Sequence, residues 1–200
     1  MANKKISQLT LAVDVIYPTD LMELSRDDYS GGYTSEAISG DQLYEGMIAV
    51  ASPYLSAYFD ANQTFVGGVP KAIDFRNIEL QNYIDVPTPT RLVVDKAGIY
   101  KVDFTATINN NGGGSATGYH VGFYLKKNGT TNILNSSKFM TAPENNHVES
   151  YSTSWLVQLK AGEYIEVFCK MDKTAFRLLT ESAHNGVVTP SSQVIMSRIG

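Results

Sequence analysis

Cysteine is almost absent. Cys169 is the only one in 200 residues, which excludes an intrachain disulfide and a thiolate metal cage. Its setting, IEVFCKM, alternates like a strand, so a small core residue is expected there. With no disulfide framework, synthesis in a reducing compartment is expected. Charge is also sparse: 18% of residues are charged and the net charge is −4. No basic run exists, so the electrostatic footprint of a nucleic-acid binder is missing. No apolar run approaches the length of a membrane span, and membrane insertion is not expected. Near the N-terminus the apolar stretch is cut by Asp14, Pro18 and Asp20 with no small-residue cleavage site behind it, so no signal peptide is expected. Helical periodicity is scarce as well, because no long segment places apolar residues at i, i+3, i+4 and i+7.

Catalytic signatures are equally scarce. His120, His147 and His184 are dispersed and lack the spacing of a zinc-binding helix. No G-x-S-x-G elbow occurs. The glycines of NNNGGGSATG are not followed by a helix carrying Lys-Ser/Thr, so a phosphate cradle is not expected. Nothing suggests the two facing carboxylates a glycoside hydrolase needs. Adjacent acids such as Asp27-Asp28 are ordinarily just solvated in a turn. Calcium, which needs oxygen-rich loops, is the one cation that turn or a later loop would suit. No cofactor and no enzymatic activity are expected.

What is present is a string of short runs rich in Val, Ile, Thr, Tyr and Phe, separated by Gly, Asn and Pro. That pattern predicts an antiparallel sandwich or barrel. Two regions are expected, 1–53 and 54–200. In the first, TDLMELSRDDYSGGYTSEAIS reads as one hairpin. Leu21, Met22 and Leu24 lie in one strand, Tyr33, Ala37 and Ile38 in the other, and 26–32 make the turn. Two strands cannot bury enough surface to stand alone in water. Residues 39–53 could open a short helix capped by Ser39 or Asp41. From Tyr54 onward about eight to ten strands follow, which suits a two-sheet jelly roll. KAIDFRNIEL is expected as one strand with Ile73, Phe75 and Ile78 inward. Turns are expected at Ala97-Gly98, Asn128-Gly129 and Ala161-Gly162, and a closing strand in SSQVIMSRIG. Long loops are expected at 109–118, 142–150 and 172–191.

Five pieces stand in an order that carries a resemblance: SAYFDANQTF, AGIYKVDFTATI, VGFYLKKNGTTNI, STSWLVQLKAGEYIEVFCKM and SSQVIMSRIG. Together they resemble the trimeric jelly roll shared by tumour-necrosis-factor ligands and the globular heads of complement and collagen-type proteins. The resemblance implies an all-β chain that forms a homotrimer. There are 12 Tyr and 8 Phe, and Tyr suits an interface because its ring packs while its hydroxyl stays satisfied. On alternating strands some aromatics must face out of the sandwich. Tyr54, Tyr58, Tyr100, Phe104 and Phe123 are the candidate trimer interface.

The first region carries another resemblance. KISQLTLA, DLMELSR, a Gly-bearing turn and YTSEAISGDQL resemble the N-terminal module of many bacteriophage head fibres, tail fibres and related appendages. That likeness implies a virion-attachment segment using Ile6, Leu9, Leu21, Met22, Leu24, Tyr33 and Ile38. It further implies a structural virion protein, made in the host cytoplasm and carried on the virion surface, with capsid or tail proteins as partners. A head fibre or capsid decoration is preferred, because 200 residues leave no room for a long shaft. A tail-fibre or baseplate receptor-binding protein and a secreted lectin-like bacterial module are the alternatives. Loops on a rigid sandwich are where recognition usually sits. Tyr119, His120, Asn145, Asn146, His147, His184 and Asn185 are the candidate ligand loops for a host-surface glycan, with Tyr119 or Phe176 as stacking platform.

Overall fold

The computed structural model describes residues 21–27, 33–39, 52–112, 116–184 and 187–200. For 21–27, 33–39, 183 and 184 it describes the backbone only. The described residues form strands, turns and irregular segments, with no helix among them. Contacts divide the chain into two compact units, Met1–Ala51 and Ser52–Gly200.

In the first unit, β1 (Leu21–Asp27) and β2 (Tyr33–Ser39) pair antiparallel. The register sets Met22 opposite Ile38 and Leu24 opposite Glu36. Arg26 and Asp27, expected in the turn, extend β1 instead. The remaining turn residues, the expected helix within 40–51, and Ile6 and Leu9 lie outside the described residues.

The second unit is a sandwich of two sheets. Sheet I is organised by the long β9 (Gly98–Asn110). On one side β9 pairs along nearly its whole length with β13 (Val148–Leu159). Its other side takes β18 (Ser192–Arg198) and then β15 (Phe176–Leu178). Beyond β18 lie β3 (Tyr54–Phe59) and β6 (Asn77–Asn82), and β4 (Gln63–Thr64) pairs with β15. Sheet II centres on β10 (His120–Lys127) paired with β14 (Tyr164–Met171). Outside β10 are β11 (Thr131–Asn132) and β12 (Lys138–Thr141). Outside β14 are β5 (Lys71–Ala72), β8 (Arg91–Val94) and, beyond β8, β7 (Ile84–Thr88). A separate hairpin joins β16 (Glu181–His184) to β17 (Val187–Thr189).

The alternation in the sequence is what fills the core. Along β9, Tyr100, Val102, Phe104, Ala106 and Ile108 are buried, and β10 contributes Val121, Phe123 and Leu125. The two sheets meet through aromatic rings. Phe104 lies 6.3 Å from Phe75 edge to face, 5.1 Å from Phe123 and 6.0 Å from Trp155. Such contacts contribute about 0.5–1.5 kcal/mol each beyond area burial. Cys169 is fully buried among them, as its strand setting implied.

Several expectations need correcting. KAIDFRNIEL is not one strand. It breaks into β5 and β6, which belong to different sheets. Between them Ile73 and Phe75 are buried while their N–H groups donate to Val167 O and Pro89 O. That crossing turns Ile78 outward, at 43% exposure. Gly98 is the first residue of β9 rather than a turn glycine. A Cβ there would lie 2.5 Å from Gly200 O, so its role is to admit the closing backbone. The expected loop at 172–191 contains β15, β16 and β17. Asn109 and Asn110, expected in a flexible loop, end β9 and are buried. The turns at Asn128-Gly129 and Gly162 stand as expected, with positive φ of 52°, 72° and 79°.

Candidate functional site

The predicted loop residues gather only in part. Asn109 Nδ2 donates to His147 O at 3.1 Å, and Asn110 Nδ2 to Pro143 O at 3.2 Å. Asn146, at φ 60°, donates its N–H to Asn110 O at 2.9 Å, and the His147 N–H donates to Glu144 O. Buried asparagines at the end of β9 therefore hold the 143–147 loop, which leaves the exposed Asn145 and His147 on a fixed backbone. Sequence reasoning missed Asn109 and Asn110, since a buried amide looks like any loop amide until its acceptors are placed. His184 closes β16, with its side chain outside the described residues, and Asn185 lies outside them altogether.

Tyr119 and His120 open β10. Lys173 Nζ sits 3.8 Å above the Tyr119 ring, whose edge meets Phe176 at 6.4 Å. Phe176 is fully buried, so it cannot be a stacking platform. The His120 N–H donates to Asp172 Oδ2 at 2.8 Å, and His120 Nδ1 stands 3.6 Å from the same oxygen. The imidazole meets Phe139 edge to face at 5.4 Å.

Of the candidate trimer-interface residues, Tyr100, Phe104 and Phe123 are buried within this one chain. They alternate inward and complete its core, so they cannot contact another subunit. Tyr54, at 44% exposure, and the half-buried Tyr58 do face out of sheet I. The register builds that face in rows. Leu156, Lys101, Ser197 and Tyr54 form one; Ser154, Asp103, Ile195, Ser56 and Leu80 the next; Ser152, Thr105, Gln193 and Tyr58 a third. Leu156 is 66% exposed, Leu80 57% and Ile195 46%. Lys101 and Asp103 in these rows pair at 2.9 Å, and the Glu79 carboxylate reaches the same face, where it accepts from Ser56 Oγ at 3.0 Å. Burial works against the Asp103 anion, but the Ser154 hydroxyl, which donates to it, and the Lys101 ammonium outweigh that and lower its pKa. Beside this face, a shallow depression of about 180 Å³ is lined by residues including Leu134, Lys138, Trp155 and Leu156. The Trp155 indole N–H donates to Ser136 O at 2.6 Å.

The outward face of sheet II is different. Its rows are Phe139, Gly122 and Lys170; then Tyr124 and Phe168; then Lys126 and Glu166. Tyr124 and Phe168 stack at 5.6 Å, and Lys126 Nζ lies 4.3 Å over Phe168. Burial raises the Tyr124 phenol pKa. Glu166 accepts from Thr90 Oγ1 at 2.9 Å and has Arg91 at 3.9 Å. Nothing in the sequence pattern marked this face, because its residues become neighbours only through the β10–β14 register.

Burial pushes the Cys169 thiol far up, which keeps it protonated and poorly nucleophilic. Among the described residues no three His, Cys, Asp or Glu side chains cluster as a metal would require.

No family model matches this chain, and no curated protein matches it in sequence. Solved structures do. Murine APRIL at pH 5.0 aligns with a TM-score of 0.51 and murine APRIL at pH 8.0 with 0.50. Both are 10% identical to this chain, covering 74% of it and 100% of their own length. At that identity the likeness establishes the fold alone: a tumour-necrosis-factor-like jelly roll.

Proposed function

We propose that this chain is a structural, non-catalytic bacteriophage virion protein. Residues 1–51 attach it to the particle, and residues 52–200 form a trimeric head displayed on the virion surface, as a head fibre or capsid decoration. The observation that carries the self-association is the outward face of sheet I. Leu156, Ile195, Leu80 and Tyr54 lie on it, with the paired Lys101 and Asp103 and the Ser56-bound Glu79 carboxylate as its charges. An apolar surface with few charges is expected where copies of a chain meet, and closed symmetry lets three of them share one axis. Attachment rests on the phage-like motifs of the first region.

The test images particles made with and without this chain, and with residues 52–200 alone. The expected result is surface density that disappears without the chain and does not return with residues 52–200. Particles that incorporate residues 52–200 normally would overturn the attachment role. Label density at the tail rather than the capsid would move the same protein to a baseplate or tail-fibre position.

A further inference from the structure

The outward face of sheet II has features that self-association through sheet I does not use. Gly122 is the centre of it. Across the sheet its neighbours are Phe139 and Lys170. Along β10 its neighbours on the same face are His120 and Tyr124, because side chains alternate. Strand spacing puts Phe139 and Lys170 about 10 Å apart and His120 and Tyr124 about 14 Å apart. With no side chain at Gly122, the floor between them is open. A Cβ built there meets nothing nearer than 3.8 Å.

The walls of this notch have a particular chemistry. Phe139 is 71% exposed and braced by the His120 ring. Tyr124 is held by its stack on Phe168. Aromatic faces carry negative π density, which attracts polarised C–H groups as well as cations. The axial C–H face of a pyranose fits that demand. Lys170 stands exposed at the rim and forms no ion pair among the described residues. The nearby Asp172 is engaged by the His120 N–H and ring. In a chain of net charge −4, an ammonium beside apolar ring faces selects a ligand that is flat, apolar on one side and singly anionic.

We propose that this face binds the uronic-acid rings of an acidic polysaccharide. One pyranose lies over Gly122 between Phe139 and Tyr124, with its carboxylate against Lys170. The site is on the sheet surface, and of the residues where sequence reasoning placed glycan contacts only His120 borders it. It deepens the display reading by naming the ligand class of the head, but the binding itself needs neither a particle nor a trimer.

The experiment titrates the purified full-length chain with trigalacturonate, with maltotriose as the neutral arm and inorganic polyphosphate as the charge-only arm. Backbone amide shifts and calorimetry are the readouts. The expected result is saturable trigalacturonate binding with shifts at Gly122, Tyr124 and Phe168. Maltotriose should bind more weakly, and polyphosphate should leave Gly122 unmoved. Lys170→Gln should weaken trigalacturonate binding about five- to tenfold, as loss of one solvent-exposed charged contact does. Gly122→Val should abolish it by filling the floor, while unfolding at the wild-type temperature, since a β-branched residue suits an open strand position. Lack of saturable binding overturns the proposal, as does unchanged affinity in both variants or an equal response to polyphosphate. Those failures would leave the particle-imaging result standing, so the two readings fail separately.

Discussion

A single buried amide shows how residues in this sandwich hold strands of different sequence distance together. Gln63 is 3% exposed. Its Nε2 donates to Ser192 Oγ at 3.0 Å and to Asp74 O at 3.3 Å, and its Oε1 accepts the Asp74 N–H at 2.9 Å. Gln63→Ala leaves the Asp74 N–H without its acceptor, while Ser192 Oγ still donates to Asp74 O at 3.1 Å. The expected loss is about 1–3 kcal/mol, read as a lower urea midpoint at unchanged slope. Asp103 gives a pH-dependent prediction instead. Its folded pKa is depressed below the ordinary 3.8, so the folded state binds that proton less readily than the unfolded state. The contribution is complete above the unfolded pKa and is lost as pH falls through the folded one. Stability measured from about pH 5 downward should therefore fall more steeply in the wild type than in Asp103→Asn. Equal slopes would mean that the Lys101 and Ser154 contacts do not persist in solution.

Elements differ in how openly the sequence announces them. The period-two runs that became β9, β10, β14 and β18 were legible because inward and outward residues differ in polarity there. Turn glycines were legible for a steric reason, since few other residues accept positive φ. Sheet membership was not. β13 and β14 flank the expected turn at Ala161-Gly162 but lie in different sheets. KAIDFRNIEL likewise changes sheet in mid-run, and only the placement of Pro89 and Val167 shows it. The candidate interface aromatics misled because Tyr and Phe alternate identically whether a strand faces a core or a neighbour. The two turn glycines themselves offer a quantitative contrast. Gly162, at φ 79°, has open space around a Cβ, whereas a Cβ on Gly129 would stand 2.9 Å from Tyr164 Oη. Gly162→Ala should cost about 1–2 kcal/mol of backbone strain alone. Gly129→Ala should cost more, and Tyr164→Phe in the same chain should recover the excess. A thermal-melt double-mutant cycle reads this directly; additivity of the two substitutions would show that the ring simply moves aside.

At the scale of the whole molecule, two compact units share one chain. Residues 52–200 enclose a continuous core between two sheets, so this fragment should fold and melt cooperatively by itself. The jelly roll covers its inner surfaces with its own side chains but leaves Ile195 and Leu156 on the outside of sheet I. Those two positions separate folding from assembly. Both are exposed, so Ile195→Lys and Leu156→Lys should change the stability of the isolated subunit by no more than about 0.5 kcal/mol. In a trimer joined through this face, however, each subunit of the double variant would bury two further ammoniums beside the existing Lys101, while the acids on the face, Asp103 and Glu79, are already engaged by Lys101 and Ser56. Sedimentation equilibrium should therefore find a trimer for the wild-type chain and a folded, monomeric species for the double variant. If the wild type sediments as a monomer at high micromolar concentration, the exposed row on sheet I has another role and the display reading loses its assembly step.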